Sequence, residues 1–183
     1  MINFITVAYV RTILSMLTVI SHTGIILFII YVILRKVKKI SFIEKILKFF
    51  GRKSLLFAFI ISLAATLGSL FFSEIALWEP CKLCWYQRIF IYPQTVLLGY
   101  ALIRKDKKIF DYVIPLSIIG GLISAYHYFI QSLIPNAASA CSATGVSCLI
   151  EYFKDYSYIT PPMMALTAFT SIILLVIINK KFK

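Results

Sequence analysis

The sequence predicts an all-α integral membrane protein with five transmembrane helices. Its 183 residues are 61% hydrophobic, with a mean hydropathy of +0.91, and only 14% are charged, whereas soluble domains carry about 25% charged residues. Five apolar runs approach or exceed the roughly 20 residues that a helix needs to cross a bilayer. None of them alternates apolar and polar residues with period two, so helices rather than a closed barrel satisfy the backbone in lipid.

The predicted spans cover residues 4–34, 55–72, 84–103, 110–134 and 160–178. The first is too long for one simple span and too short for two, and residues 21–24 (SHTG) predict a break or bend. We interpret it as one tilted or bent transmembrane helix. We do not expect it to be a secretory signal, because no small-residue cleavage site follows and the positive charge comes after it. Residues 41–50 (SFIEKILKFF) predict a short amphipathic helix at the membrane surface.

Basic residues indicate the orientation. Fifteen of the 19 Lys and Arg residues lie in residues 35–53, 104–108 and 180–183. Cytoplasmic loops carry an excess of Lys and Arg, so we expect these regions in the cytoplasm and the N-terminus outside. Because topology accounts for the net charge of +12, we expect no nucleic-acid partner.

All four cysteines fall in or beside the two connections that face outward, residues 73–83 and 135–158. They form two pairs, Cys81 with Cys84 and Cys141 with Cys148. The outer side of a bacterial plasma membrane permits disulfides. We therefore expect a multi-pass protein of the bacterial inner membrane with both pairs on the extracytoplasmic side.

The first pair has the spacing of a reactive dithiol. Pro80 is suited to open the third span, which would place Cys81 in the first turn, where the helix N-terminus favours a thiolate. Cys84 is three residues from Cys81 and four from Arg88, so one helix face carries all three. An arginine inside a span is a functional hypothesis, and Arg88 can stabilise negative charge on a redox partner or on a thiolate. Alternatively, it snorkels to the headgroups.

The second pair lies in a loop of small and polar residues, which we expect to be mobile and accessible to another protein. His127 lies roughly 10 Å below the outer end of its span, at 1.5 Å per residue, a depth similar to that of Arg88. Both can border one site, unless His127 only bonds a neighbouring helix. His22 reads as structural, and Trp78, Trp85, Tyr126 and Tyr128 read as interface anchors.

Together, residues 79–88 (EPCKLCWYQR) and 124–131 (SAYHYFIQ) resemble the disulfide bond formation protein B (DsbB) family and its short Gram-positive-type relatives. The resemblance runs from residue 53 to 183 and implies a four-helix membrane domain. Residues 1–52, with an extra transmembrane helix and a basic amphipathic linker, lie outside it. Cys141 and Cys148 are closely spaced, unlike the widely separated second pair of Gram-negative members, which favours the short-loop subtype.

The resemblance implies a protein-dithiol:quinone oxidoreductase. Cys141–Cys148 would oxidise an extracytoplasmic DsbA-like thioredoxin-fold protein, with Cys141 bonding the partner, and electrons would pass to Cys81–Cys84. Cys84 would react with membrane ubiquinone or menaquinone, held near Arg88 and His127. Four alternatives stay open: a zinc site of four cysteines, two structural disulfides, a membrane scaffold, and a vitamin K epoxide reductase-like oxidase, in which the Cys-x-x-Cys follows the loop pair.

Overall fold

The computed structural model describes residues 4–34, 41–133 and 147–181. Within these ranges the chain forms six α-helices, which we number in chain order: α1 (Phe4–Leu34), α2 (Ser41–Arg52), α3 (Ser54–Leu70), α4 (Lys82–Arg104), α5 (Phe110–Leu133) and α6 (Pro161–Lys181). A π-helical turn, Phe71–Ile75, extends α3, and a 3₁₀ turn, Lys107–Ile109, precedes α5. The prediction of an all-α membrane protein is confirmed.

In the part of the chain that the structure describes, four helical segments are long and apolar enough to cross a membrane: Phe4–Ile33, Ser54–Ile75, Lys107–Ser132 and Pro161–Lys181. The remaining predicted span, α4, has 23 residues, which at 1.5 Å per residue extends about 34 Å. It is more polar because it contains Gln87, Arg88 and Gln94. All three side chains are buried inside the protein. We interpret α4 as the fifth span, packed between α3 and α5.

Helices α3 to α6 form a bundle around one apolar core. Leu98 of α4, Val113 of α5 and Ile172 of α6 are fully buried there. At the closest approach of α5 and α6, a methyl group on Gly120 would collide with the ring of Phe169. A glycine at this position therefore lets the two helices pack tightly, as small residues do in membrane bundles.

The N-terminal helix α1 is helical throughout, so the break expected at residues 21–24 is absent. It packs along α6. The predicted amphipathic helix is confirmed as α2, and its apolar residue Leu47 packs with Tyr31 and Ile178 at the ends of α1 and α6. The Nδ2 atom of Asn179 donates to the carbonyl of Gly51 over 2.6 Å, which ties α2 to α6.

The two ends of the bundle differ in character. At one end, Cys81 and Cys148 lie in a buried cluster, and Arg11 near the start of α1 pairs with Asp155 of the connection between α5 and α6. At the other end lie α2 and the exposed ion pair of Lys180 with Asp111. The described cysteines and the basic connections therefore lie at opposite ends.

Candidate functional site: a dithiol beside a cavity

The site begins where the connection after α3 turns into α4. Cys81 is the N-cap residue of α4, with extended backbone angles (φ −69°, ψ 171°), and its Sγ accepts the backbone N–H of Cys84 at 3.4 Å. Pro80 therefore precedes the helix rather than opening it, and the expectation that Cys81 lies in the first turn is wrong. The extended backbone lets the cysteine sulfur cap an N–H that has no partner within the helix.

The two sulfurs of this pair are in direct contact. The Cys81 thiol donates to Cys84 Sγ at 3.2 Å. This hydrogen bond, together with burial, raises the pKa of Cys81 to about 12. The shared proton and the lack of solvent thus oppose the helix terminus, which favours a thiolate at Cys81.

His127 of α5 lies against Cys81 and is buried. Its Nε2 is 3.0 Å from the carbonyl oxygen of Cys148 and 3.8 Å from Cys81 Sγ. Because a carbonyl only accepts, Nε2 must carry a proton. The amide nitrogen of Gln87 donates to the other ring nitrogen, Nδ1, at 3.0 Å. These bonds define the orientation of the ring, which joins both cysteine regions.

The second pair is only partly described. Cys148 is 2% exposed and packs with Cys81 and Ile130, so the predicted accessibility is wrong for this cysteine. Apolar neighbours and the His127 hydrogen bond hold it against the first pair. Cys141 lies outside the described residues, and its predicted contact with a partner therefore stays a prediction.

A cavity of about 280 Å³ lies beside the dithiol, close to the lower limit of roughly 300 Å³ for small-molecule pockets. Cys84, Gln87 and Arg88 of α4 line one part of it. Most of the remaining lining is apolar and comes from α1, α3 and α6. Neither Cys81 nor His127 lines the cavity. Arg88 therefore lines the cavity, whereas His127 lies behind Gln87 and beside Cys81.

Arg88 points into the protein instead of snorkelling to the headgroups. It is 8% exposed, its Nη2 donates to the carbonyl of Ser69 on α3 at 3.1 Å, and its guanidinium carbon is 5.2 Å from the centre of the Trp85 ring. Its Nε is buried and has no hydrogen-bond partner among the residues that the structure describes. The cavity thus has beside it a cation with a spare donor, which suits a ligand with a carbonyl oxygen.

Stacked aromatic rings close one wall of the cavity. Trp78 lies between Phe72 and Tyr152, with ring centroids 4.8 Å and 5.2 Å away and planes within 8° of parallel. The Tyr152 hydroxyl donates to the carbonyl of Glu79 at 2.7 Å, and partial burial raises the pKa of this phenol. Trp78 is therefore part of the cavity wall, and its role as an interface anchor stays a prediction.

Sequence reasoning did not identify Gln87, Trp78 and Tyr152 as site residues. Gln87 carried a usable signal, since an amide one turn after Cys84 in an apolar span needs a buried partner. His22, predicted as structural, lies between Tyr158 and Thr167, with contacts of 3.2 Å and 2.7 Å. The side chains of Cys81, Cys84 and His127 also offer three metal-ligating atoms within 4.8 Å of one another.

The chain was compared with known families and proteins. Residues 51–172 match the family model described as "Disulfide bond formation protein DsbB". The chain is 47% identical over 111 residues to "Probable disulfide formation protein C 1" of Bacillus cereus, covering 61% of this chain and 80% of the relative. It is 41% identical over 123 residues to "Disulfide bond formation protein C" of Bacillus subtilis, covering 67% and 89%.

A third relative, "Probable disulfide formation protein" of Chlamydia pneumoniae, is 39% identical over 137 residues, covering 75% of this chain and 98% of the relative. No solved structure matched the chain. The family model covers well over half of the sequence, including Cys81, Cys84, Arg88 and His127. The chain therefore belongs to the disulfide bond formation protein DsbB family, and its role is in disulfide bond formation at a membrane.

Proposed function

We propose that the chain is a protein-dithiol:quinone oxidoreductase of the bacterial inner membrane. It reoxidises an extracytoplasmic DsbA-like thioredoxin-fold protein and passes the electrons to ubiquinone or menaquinone. The observation that carries this proposal is the position of Cys84, whose sulfur contacts Cys81 and which also lines an apolar cavity beside Arg88. A membrane quinone is an apolar substrate with two carbonyl oxygens, and a cavity of this composition fits it.

The reaction has two balanced parts. In the first, a partner dithiol and the Cys141–Cys148 disulfide exchange, giving an oxidised partner and two loop thiols. The loop thiols then reduce the Cys81–Cys84 disulfide by a second exchange. In the second part, the Cys81–Cys84 dithiol gives two electrons and two protons to the quinone, which leaves as quinol while the disulfide re-forms.

Each residue near the dithiol has a role in this scheme. Arg88 donates a hydrogen bond to the quinone oxygen on which negative charge develops, and its burial strengthens that interaction. His127 holds the Cys148 backbone against Cys81 through its Nε2 proton. Gln87 keeps that proton on Nε2 by donating to Nδ1. The dithiol thus has an exchange side at Cys81 and a quinone side at Cys84.

The extracytoplasmic location of the site is part of the proposal. It is supported by the separation of the described cysteines from the basic connections along the bundle axis, combined with the preference of Lys and Arg for the cytoplasmic side. An exposed outer end also gives a secreted dithiol protein access to the loop around Cys141.

Single-turnover quinone reduction by cysteine variants tests the proposal. The purified chain is reduced, freed of reductant without oxygen, and mixed with a short-tailed ubiquinone or menaquinone, and quinol formed per chain is measured. The variant Cys141→Ser/Cys148→Ser retains the helix pair and is expected to form about one quinol per chain, since a dithiol carries two electrons. Cys81→Ser/Cys84→Ser, its matched control, and Cys84→Ser alone are expected to form none.

Thermal unfolding in detergent checks that each variant is folded. Quinol formed by the Cys81→Ser/Cys84→Ser variant, or none formed by a folded Cys141→Ser/Cys148→Ser variant, would contradict the assignment of the quinone to the helix pair. A second candidate function rests on the cluster of Cys81, Cys84 and His127, whose atoms are close enough to share a thiophilic metal. A stoichiometric metal in the purified protein would support that function instead.

A further inference from the structure

Helix α1 lies outside the stretch that matches the family, residues 51–172, yet it forms part of the cavity wall. Leu14, Leu17, Thr18 and Ser21 all line the cavity. Their spacing of three, four and seven residues places them on one face of the helix. A helix that only anchored the chain would have no reason to present one face to the reaction cavity.

Polar contacts hold this face in register. The Ser15 hydroxyl donates to Asp155 Oδ2 at 2.6 Å, and Arg11 Nε is 3.3 Å from the same oxygen. One residue after Ser21, His22 Nε2 contacts the Thr167 hydroxyl of α6 at 2.7 Å. These contacts lie near both ends of the lining face. They fix the rotation of α1 about its own axis and its position along the bundle axis.

Helix α1 approaches α3 closely at one level. A Cβ atom on Gly68 would lie 2.9 Å from Leu14 Cδ1, so the two helices touch there. Among the described residues α1 makes its main contacts with α6 and few with α3. Further from the dithiol, Leu17 of α1 and Ile60 of α3 both line the cavity, yet are 48% and 49% exposed. These two residues thus line the cavity and are also exposed on the outer surface, which fits a cavity that is open between α1 and α3.

We propose that the slot between Leu17 and Ile60 is the portal for the isoprenoid tail of the quinone, and that α1 makes the enzyme sensitive to tail length. This inference rests on the quinone reduction proposed above. With the headgroup at Cys84 and Arg88, the tail follows the apolar lining and leaves through the slot into lipid. Residues 51–172 alone would leave that side of the cavity without the α1 wall.

A tail-length series tests the portal. The steady-state KM is measured for two quinones with one headgroup, carrying a single isoprene unit or four, using whichever of the ubiquinone and naphthoquinone headgroups the wild type reduces. Leu17→Trp narrows the slot, so the KM of the long-tailed quinone should rise about tenfold. The KM of the short-tailed quinone should stay within about twofold, because uniform binding of the headgroup is unchanged.

Ile20→Trp is the matched control, since Ile20 lies on the same helix, is 65% exposed and does not line the cavity. It should change neither KM. A Leu17→Trp variant that shifts both KM values equally, or neither, overturns the portal while leaving quinone reduction intact. A wild type that reduces no quinone overturns the proposed function itself.

If Leu17→Trp fails to fold, Leu17→Ala tests the same slot by widening it. This variant should move the ratio of long-tail to short-tail KM in the opposite direction, by about twofold, because a smaller side chain relieves contact with the tail. An unchanged ratio in folded Leu17→Ala protein would also contradict the portal.

Discussion

The two sulfurs of one dithiol face different surroundings. Cys84 is half-buried and lines an apolar cavity next to Arg88. Cys81 is 5% exposed and lies against His127 in a buried cluster with Cys148, against which Cys84 also packs. Two sulfurs in contact thus differ in one respect, since Cys84 lines the cavity and Cys81 does not.

In the proposed function, this difference directs electrons from the loop cysteines through the helix pair to the quinone. Thiol–disulfide exchange requires an attacking sulfur in line with the bond that breaks, and the loop residue Cys148 is buried beside the first pair. Quinone reduction instead requires an apolar space and a donor for developing negative charge. In the proposed mechanism, Cys81 at the N-cap of α4 serves the exchange and Cys84 in its first turn serves quinone reduction.

Removing the positive charge of Arg88, on the cavity side of the dithiol, should reduce activity more than removing His127. Arg88→Gln deletes a charged donor, and a hydrogen bond to a charged group contributes about 1.5–3 kcal/mol. We therefore expect kcat/KM for quinone to fall by about 10- to 100-fold. Reduction of the loop disulfide by a dithiol protein, measured without quinone, should change much less.

Arg104→Gln is the matched control for this variant. Arg104 lies at the other end of α4, is exposed, and stacks over Tyr100 at 5.6 Å. It should leave quinone kinetics unchanged. Equal losses in both half-reactions of Arg88→Gln would mean that Arg88 only supports the fold through its bond to the Ser69 carbonyl.

Removing the His127 imidazole should slow thiol–disulfide exchange between the two cysteine pairs by a smaller factor. His127→Leu leaves the Cys148 carbonyl without its described donor, and a buried unsatisfied group costs about 1–3 kcal/mol. We expect electron transfer from the loop pair to the helix pair to slow by about tenfold. Rapid quenching and peptide mass spectrometry would follow the two disulfides after a dithiol is added.

Two further variants sharpen this test. Gln87→Leu removes only the bond to Nδ1 and should slow transfer less than His127→Leu. His22→Leu changes the other histidine, which bonds Tyr158 and Thr167 instead, and should leave the transfer rate unchanged. If His127→Leu slows single-turnover quinone reduction more than transfer between the pairs, His127 acts on the quinone and the division of the site is wrong.

Much of the fold could be predicted because local sequence patterns determine it. Apolar runs and basic connections predicted the helices to within a few residues, and the amphipathic pattern predicted α2. The start of α4 was missed because a cysteine capped it, and a sulfur that accepts the Cys84 N–H lies outside the usual preference for Ser, Thr, Asp and Asn at this position.

The chemistry of the site was predicted only where spacing along one helix decides it. Cys84 and Arg88 share α4, so their proximity followed from the helical repeat. Gln87 and His127 are 40 residues apart in sequence, and the burial of Cys148 also depends on packing between distant segments. The contribution of α1 to the cavity had no local signal, because its lining face is no more apolar than the rest of the helix.

The most direct test of the division between the two sulfurs is their alkylation in the reduced wild-type protein, from pH 6 to 10. Only the thiolate reacts, so a thiol with a pKa of about 12, such as Cys81, gains rate throughout this range without a plateau. Cys84, which accepts the hydrogen bond and lines the cavity, should be modified first at every pH.

Peptide mass spectrometry assigns each modified residue. The Cys84→Ala variant should shift the Cys81 profile to lower pH, because the Cys84 hydrogen bond is the largest cause of the raised pKa. Modification of Cys81 before Cys84, or a Cys81 rate that levels off near pH 9 in the wild type, would contradict the separate roles of the two sulfurs.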